Sequence, residues 1–209
     1  MTQDSKRLLK LSAKLLVTWA LLSALGALYG KALVTASLPL MQNVAQQITD
    51  DFYTRFAWDQ KEPGMLLIDA NFAVPKPSIR ALGIQPGATA SAGTNVEHIL
   101  VPVILLFIVI ICWPVGQWRS RFILLAMAVP ASVMSLIFTT PFLLVGKIET
   151  LLQEYAYNAN IARAEPLYLD WMLFTESGGR WLLPISLGLA CVWLLNKFFV
   201  PQKEGLADE

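Results

Sequence analysis

The sequence predicts an α-helical integral membrane protein, with four transmembrane helices and a small mixed α/β extracytoplasmic segment. Three observations predict it. Leu15–Tyr29, Phe122–Val145 and Trp181–Val200 are long apolar stretches, and a fourth, Val101–Ile111, is apolar except for Pro102 and extends from Ile99 to Trp113. About 20 apolar residues cross a hydrocarbon core as a helix, and lipid offers the backbone no other way to satisfy its polar groups. The 209-residue chain is 56% hydrophobic and only 15% charged, against about 25% charged in an ordinary soluble domain. Finally, Lys and Arg are concentrated in the short segments between the apolar runs.

That charge pattern sets the expected topology, because Lys and Arg accumulate on the cytoplasmic side. With the N-terminus inside, the cytoplasmic pieces are Met1–Lys14, Pro114–Arg121 and the segment from Asn196. They hold Lys6, Arg7, Lys10, Lys14, Arg119, Arg121, Lys197 and Lys203. The outer segments, Gly30–His98 and Gly146–Arg180, hold as many cations over about three times the length, together with eleven of the fifteen acids. Both termini are therefore expected inside. Lys6, Arg7, Lys10 and Lys14 before Leu15–Tyr29 resemble the start of a signal peptide. However, Ala27-Leu-Tyr-Gly30 followed by Lys31 is a poor cleavage site, so a retained first helix is expected.

The elements follow in order, with boundaries at 1–30 (basic segment and first span), 31–97 (outer segment), 98–145 (a hairpin of the second and third spans), 146–180 (second outer segment) and 181–209 (fourth span and C-terminal segment). After the first span, Leu33, Leu40, Val44, Ile48 and Phe52 recur at helical intervals. They predict a helix over Leu33–Phe56 that bends or restarts at Pro39. Apolar runs either side of Pro63-Gly64, Phe56–Trp58 and Met65–Val74, predict a hairpin ended by Pro75 and Pro77. Ile84–Asn95, rich in Gly, Ala, Thr and Ser, reads as an irregular linker. This outer segment is too short to bury a large core alone, and should pack on the membrane surface or on a partner. Gly146–Tyr157 reads as a helix continuing the third span, broken by Asn158–Ala164. Leu167–Phe174 reads as a short amphipathic helix, with Tyr168, Trp171 and Phe174 as interfacial anchors.

Few residues offer chemistry. His98, the single histidine, follows Glu97 at the outer mouth of the second span. A His oriented by a carboxylate can act as a general base, although a helix-start acid and an interfacial polar residue account for the pair equally. Thr175-Glu176-Ser177-Gly178-Gly179-Arg180 is the most distinctive polar stretch. Gly178 and Gly179 permit a tight turn, and Arg180 can pair with Glu176, reach Glu97 or His98, grip an anionic group of a partner, or simply snorkel. Glu149 and Glu154, five residues apart, do not share a helix face and read as solvated or paired with Lys147 or Arg163. Cys112 and Cys191 lie in apolar runs and read as buried free thiols. There is no zinc-ligand cluster, P-loop, Rossmann glycine pattern or GxSxG, so no cofactor and no metal are expected. A net charge of +1 gives no basic surface for nucleic acid. No acid or base stands mid-span, which disfavours a transporter subunit.

Gly179-Arg-Trp-Leu-Leu-Pro184, the apolar run to Trp193 and Leu194-Leu-Asn-Lys-Phe-Phe199 resemble the C-terminal end of small integral membrane proteins associated with exosortase H. The resemblance extends to size and to the order of an N-terminal span, an outer segment, a paired span and a Pro-containing final span. It implies a bacterial inner-membrane setting near protein-sorting or exopolysaccharide machinery. Exosortases work with Cys, Arg and His at the outer face. With no outer-face Cys, this chain is expected to be a non-enzymatic accessory protein with an exosortase or another membrane protein as partner, besides membrane lipids. The first alternative is a membrane enzyme acting on a lipid-linked or peptide substrate at the outer face through His98, Glu97, Glu176 and Arg180, and the second is a transporter subunit.

Overall fold

The computed structural model describes residues 3–73 and 76–199; the expected position of Lys203 lies outside the described residues. The first helix, α1 (Gln3–Ile48), runs unbroken for 46 residues, about 69 Å at 1.5 Å per residue. It passes through Pro39 without restarting and crosses the expected boundary at residue 30. It also ends before Phe56. The Thr49 hydroxyl accepts the Asp51 amide at 3.2 Å, an alternative to the next helical bond that turns the chain.

The chain then enters β1 (Tyr53–Trp58), which pairs antiparallel with β2 (Met65–Asn71) in the register Tyr53↔Asn71 to Trp58↔Leu66. This is the expected hairpin, with Gly64 at φ +94° in the turn, a backbone region that favours glycine. A short helix, α2 (Pro77–Ala81), precedes β3 (Thr89–Asn95), which pairs antiparallel with β2 from Met65↔Asn95 to Asn71↔Thr89. The expected linker over Ile84–Asn95 is thus corrected: its second half is the third strand of a sheet ordered β1-β2-β3. The far edge of β1 is covered by a side chain rather than a strand. Gln42 of α1 donates to the Thr54 carbonyl and accepts the Phe56 amide at 2.9 Å.

The helical part comprises α3 (Val96–Cys112), α4 (Trp118–Asn158), α5 (Leu167–Phe174) and α6 (Arg180–Phe198). α4 carries Pro130 and Pro141 and continues past Val145 without a break, as expected of a third span joined to Gly146–Tyr157. Among the described residues three helical stretches are long and apolar enough to cross a membrane: Leu8–Ile48, Trp118–Asn158 and Leu167–Phe198. Their length and composition are compatible with a membrane protein. α3 is apolar but has 17 residues, about 25 Å, just under the usual hydrocarbon thickness.

Two cores hold these elements together. In the first, Leu66, Ile68 and Ala70 of β2 pack with Val34, Met41 and Ala45 of α1 and with Leu144, Ile148 and Leu152 of α4. The sheet therefore completes its core against extensions of the long helices of its own chain. In the second, Leu106 and Ile110 of α3 meet Leu124 and Ala128 of α4 and Val192 and Leu195 of α6. Close approach there needs a glycine, since a Cβ on Gly188 would stand 2.9 Å from Val109 Cγ1. At the end of the bundle away from the sheet, Lys14 Nζ donates to the Cys112 carbonyl at 3.3 Å. Arg121 Nη1 and Nη2 donate to the carbonyls of Ile111 and Trp113 at 3.0 and 3.3 Å. Two cations thus satisfy the free carbonyls and the negative dipole end of α3.

Candidate functional site: a buried ion cluster beneath a polar cleft

Above the helical bundle, where α4 runs alongside the sheet, Glu149 is fully buried. A lone carboxylate there would be costly, because burial removes its hydration. Its oxygens are instead fully engaged. Oε1 accepts Arg163 Nε at 2.6 Å and Gln153 Nε2 at 3.0 Å. Oε2 accepts Arg163 Nη2 at 2.7 Å and the Tyr168 hydroxyl at 2.9 Å. Gln153 sits one turn along α4 and also donates to the Ala164 carbonyl, which fixes the loop after α4. Arg163, on that loop, has a side chain only 10% exposed and reaches on to Asp51 Oδ2 at 2.8 Å. The cluster therefore joins the end of α1, the middle of α4's extension, the loop and α5. Its hydrogen bonds to Glu149, followed by those to Asp51, hold the Arg163 guanidinium above its ordinary range against the opposing effect of burial.

A cleft of about 440 Å³ opens over this cluster, lined by Thr49, Asp50, Asp51, Lys76 and Arg163 among others. Lys76 Nζ stands 3.8 Å from Asp50 and 3.9 Å from Asp51, and the Asp50 side chain is 87% exposed. These separations exceed a hydrogen bond, so both ions remain open to other partners. Sequence reasoning missed this site. It read Glu149 as solvated or paired with Lys147 or Arg163; the pairing with Arg163 exists, but the carboxylate is dry. Lys147 turns instead to Glu176 at 4.0 Å and to the Gly93 carbonyl at 3.3 Å.

The residues singled out from the sequence are dispersed. Glu97 is exposed and borders a groove between α1 and α3 that also includes Trp19 and Gly26. His98, the next residue, is exposed on another side, where it borders a crevice shared with Thr139, Thr140, Thr175 and Arg180. That crevice holds about 20 Å³, room for about one water molecule. Arg180 donates through Nε to the Thr175 carbonyl at 3.4 Å, and its guanidinium has no ion pair among the described residues. Glu176 lies loosely beside Lys147, at 4.0 Å. The structure thus brings His98 and Arg180 to one crevice and leaves Glu97 and Glu176 apart from it.

Gly178 and Gly179 do form a tight joint, a widened turn over Thr175–Gly179 that links α5 to α6. Gly178 has φ +124°, and a Cβ on Gly179 would lie 2.8 Å from the Phe174 carbonyl oxygen. Both positions exclude a side chain on physical grounds. Cys112 and Cys191 are buried free thiols; the Cys112 thiol donates to the Thr18 hydroxyl at 3.8 Å. Set beside family models, curated proteins and solved structures, the chain matches none of them.

Proposed function

We propose that the chain is a non-enzymatic accessory or assembly protein of the bacterial inner membrane. It crosses the membrane four times with both termini inside and presents its sheet on the outer face to a membrane-protein partner, an exosortase-type sorting peptidase being the one that the C-terminal resemblance suggests. α3 serves as the fourth span: it packs against α1, α4 and α6, and as the enclosed helix it needs less length than those facing lipid. The orientation is supported by the two ends of the bundle. Lys14 and Arg121 gather at one end, whereas at the other end Lys76, Lys147 and Arg163 stand beside Asp50, Asp51, Glu149 and Glu176.

The observation that carries the partner reading is the uncovered length of α1. In its most apolar window only 6% of residues are buried. Large apolar side chains stand exposed from Leu8 through Leu16, Leu25 and Leu33 to Leu40, about 48 Å of helix. Lipid covers about 30 Å of that. Exposed apolar surface beyond the bilayer marks a protein contact. Photo-crosslinkers at Leu33, Leu40 and Tyr53 in intact cells test the reading. The expected result is one adduct with a polytopic sorting peptidase. Failure to crosslink at all three positions, or adducts that only mirror membrane-protein abundance, would overturn it. The turn Glu176–Arg180 is the second contact surface in this reading, with Arg180 free to take an acidic group of the partner.

A further inference from the structure

We infer that the polar cleft over the Glu149–Arg163 pair and the apolar groove beside it form one binding site, and that its ligand is a phospholipid with a primary-ammonium headgroup, of the phosphatidylethanolamine class. The inference rests on the membrane reading above.

The two hollows are continuous. The groove, about 630 Å³, shares Ile48, Pro166 and Tyr168 with the cleft. Apart from Gln47, its other walls are apolar and aromatic, with Val44 of α1, Phe138 and Phe142 of α4, and Trp171 of α5. Trp171 is fixed there, since its Nε1 donates to the Phe138 carbonyl at 2.7 Å. The depth of the groove follows from helix geometry. α4 starts at Trp118, and the rise from there to Phe138 is about 30 Å, one hydrocarbon thickness. The groove therefore opens in the outer interfacial zone, from the end of the hydrocarbon at Phe138 outward to Val44, the zone in which Trp and Tyr gather. The cleft lies beyond it, in water. An amphiphile seated here points its chain inward and its head outward, as an outer-leaflet lipid does.

The charges select the head. Arg163 commits Nε and Nη2 to Glu149 and Asp51, so Nη1 is the donor group that neither carboxylate engages. Together with the loosely held Lys76 it can hold a phosphodiester. Asp50, at the rim, can accept from an ammonium N–H. Glu149, Asp50 and Asp51 outnumber Arg163 and Lys76 by one, so a head that brings its own ammonium fits better than a purely anionic one. A quaternary ammonium carries no N–H for Asp50.

The test is lipid retention by the full-length protein, purified with equimolar phosphatidylethanolamine, phosphatidylglycerol and phosphatidylcholine and read by native mass spectrometry. Phosphatidylethanolamine should be retained about fivefold over each of the others, the order of selectivity one partly exposed ion pair gives. Asp50→Lys, at an exposed position, should shift the preference to phosphatidylglycerol. Val44→Trp, which fills the groove, should lose all three. Retention in proportion to input, an unchanged preference in Asp50→Lys, or full retention in Val44→Trp would each overturn the site. If these fail while the protein resists alkaline extraction from membranes, only the lipid site is lost. Release by alkaline extraction would instead remove the membrane reading itself.

Discussion

Arg163 holds Glu149 through two parallel hydrogen bonds, Nε to Oε1 at 2.6 Å and Nη2 to Oε2 at 2.7 Å, with the carboxylate wholly shielded from solvent. The bidentate geometry joins a helix to the loop that follows it, and Asp51 extends the link to the end of α1. Because both ions are desolvated, removing one leaves the other uncompensated. Arg163→Met should destabilise the protein by about 3–5 kcal/mol, and Glu149→Leu with Arg163→Met should recover much of that loss. Thermal unfolding of the three proteins in detergent checks this. A single variant as stable as the wild type would mean that the pair does not hold the fold.

The pH response of this pair has a definite sign on the Arg163 side. Its pKa in the folded state lies above its unfolded value, so its contribution is complete below the unfolded value and is lost only as pH rises through the higher folded one. Raising pH from about 7 to about 11 should therefore leave the Arg163-dependent part of stability unchanged. The measurement is the stability difference between wild type and the Glu149→Leu, Arg163→Met double variant across that range, since the single variant would leave a buried carboxylate with a pH response of its own. A difference that shrinks steadily with pH would contradict the assignment.

At the α5–α6 joint, Gly179→Ala places a methyl group against the Phe174 backbone, and Gly178→Ala forces an L residue to φ +124°. Each should cost about 1–3 kcal/mol. Gly116→Ala, where a Cβ meets nothing within 4 Å, is the control and should be close to neutral. Equal unfolding temperatures for all three would show that the joint tolerates side chains.

Topology gives a direct check on the orientation proposed. A reporter that is active only outside the cytoplasm should be active when fused at Ala88 and inactive after Glu209. Activity at the C-terminal fusion would remove the arrangement with both ends inside.

The cysteines should be dispensable. Cys191 is buried in the apolar core between α3, α4 and α6, and Cys112, also buried, makes only a weak hydrogen bond with Thr18. The double variant Cys112→Ser, Cys191→Ala should keep its abundance and its crosslinked partner. Loss of the adduct at normal abundance would assign the thiols a role the fold does not suggest.

The long helices were legible because a lipid environment writes itself into composition: a run such as Phe122–Val145 is longer and more apolar than a water-soluble fold ordinarily needs. The strand β3 was not, since Thr89-Ala-Ser-Ala-Gly-Thr-Asn95 lacks the branched and aromatic residues that favour strands. It pairs because β2 offers it an edge. The Glu149 cluster was hidden for a different reason. Its partners Arg163 and Tyr168 lie 14 and 19 residues on, and Asp51 is 112 residues from Arg163, so no local spacing joins them. The one local signal was Gln153, a turn along α4, which points a donor at the buried carboxylate. Conversely, His98, Glu97, Glu176 and Arg180 drew attention as rare polar residues at helix mouths, where the structure brings only His98 and Arg180 to one crevice.

Gln42 has a consequence for how copies of this protein can meet. By filling the hydrogen-bonding positions of Thr54 and Phe56, it closes part of the outer edge of β1. Lys147 does the same on the other side, where it takes the Gly93 carbonyl of β3. Edge-to-edge growth of sheets needs unpaired backbone groups on an outer strand. Side chains from the two longest helices thus guard both rims of this small sheet against stray pairing with its neighbours.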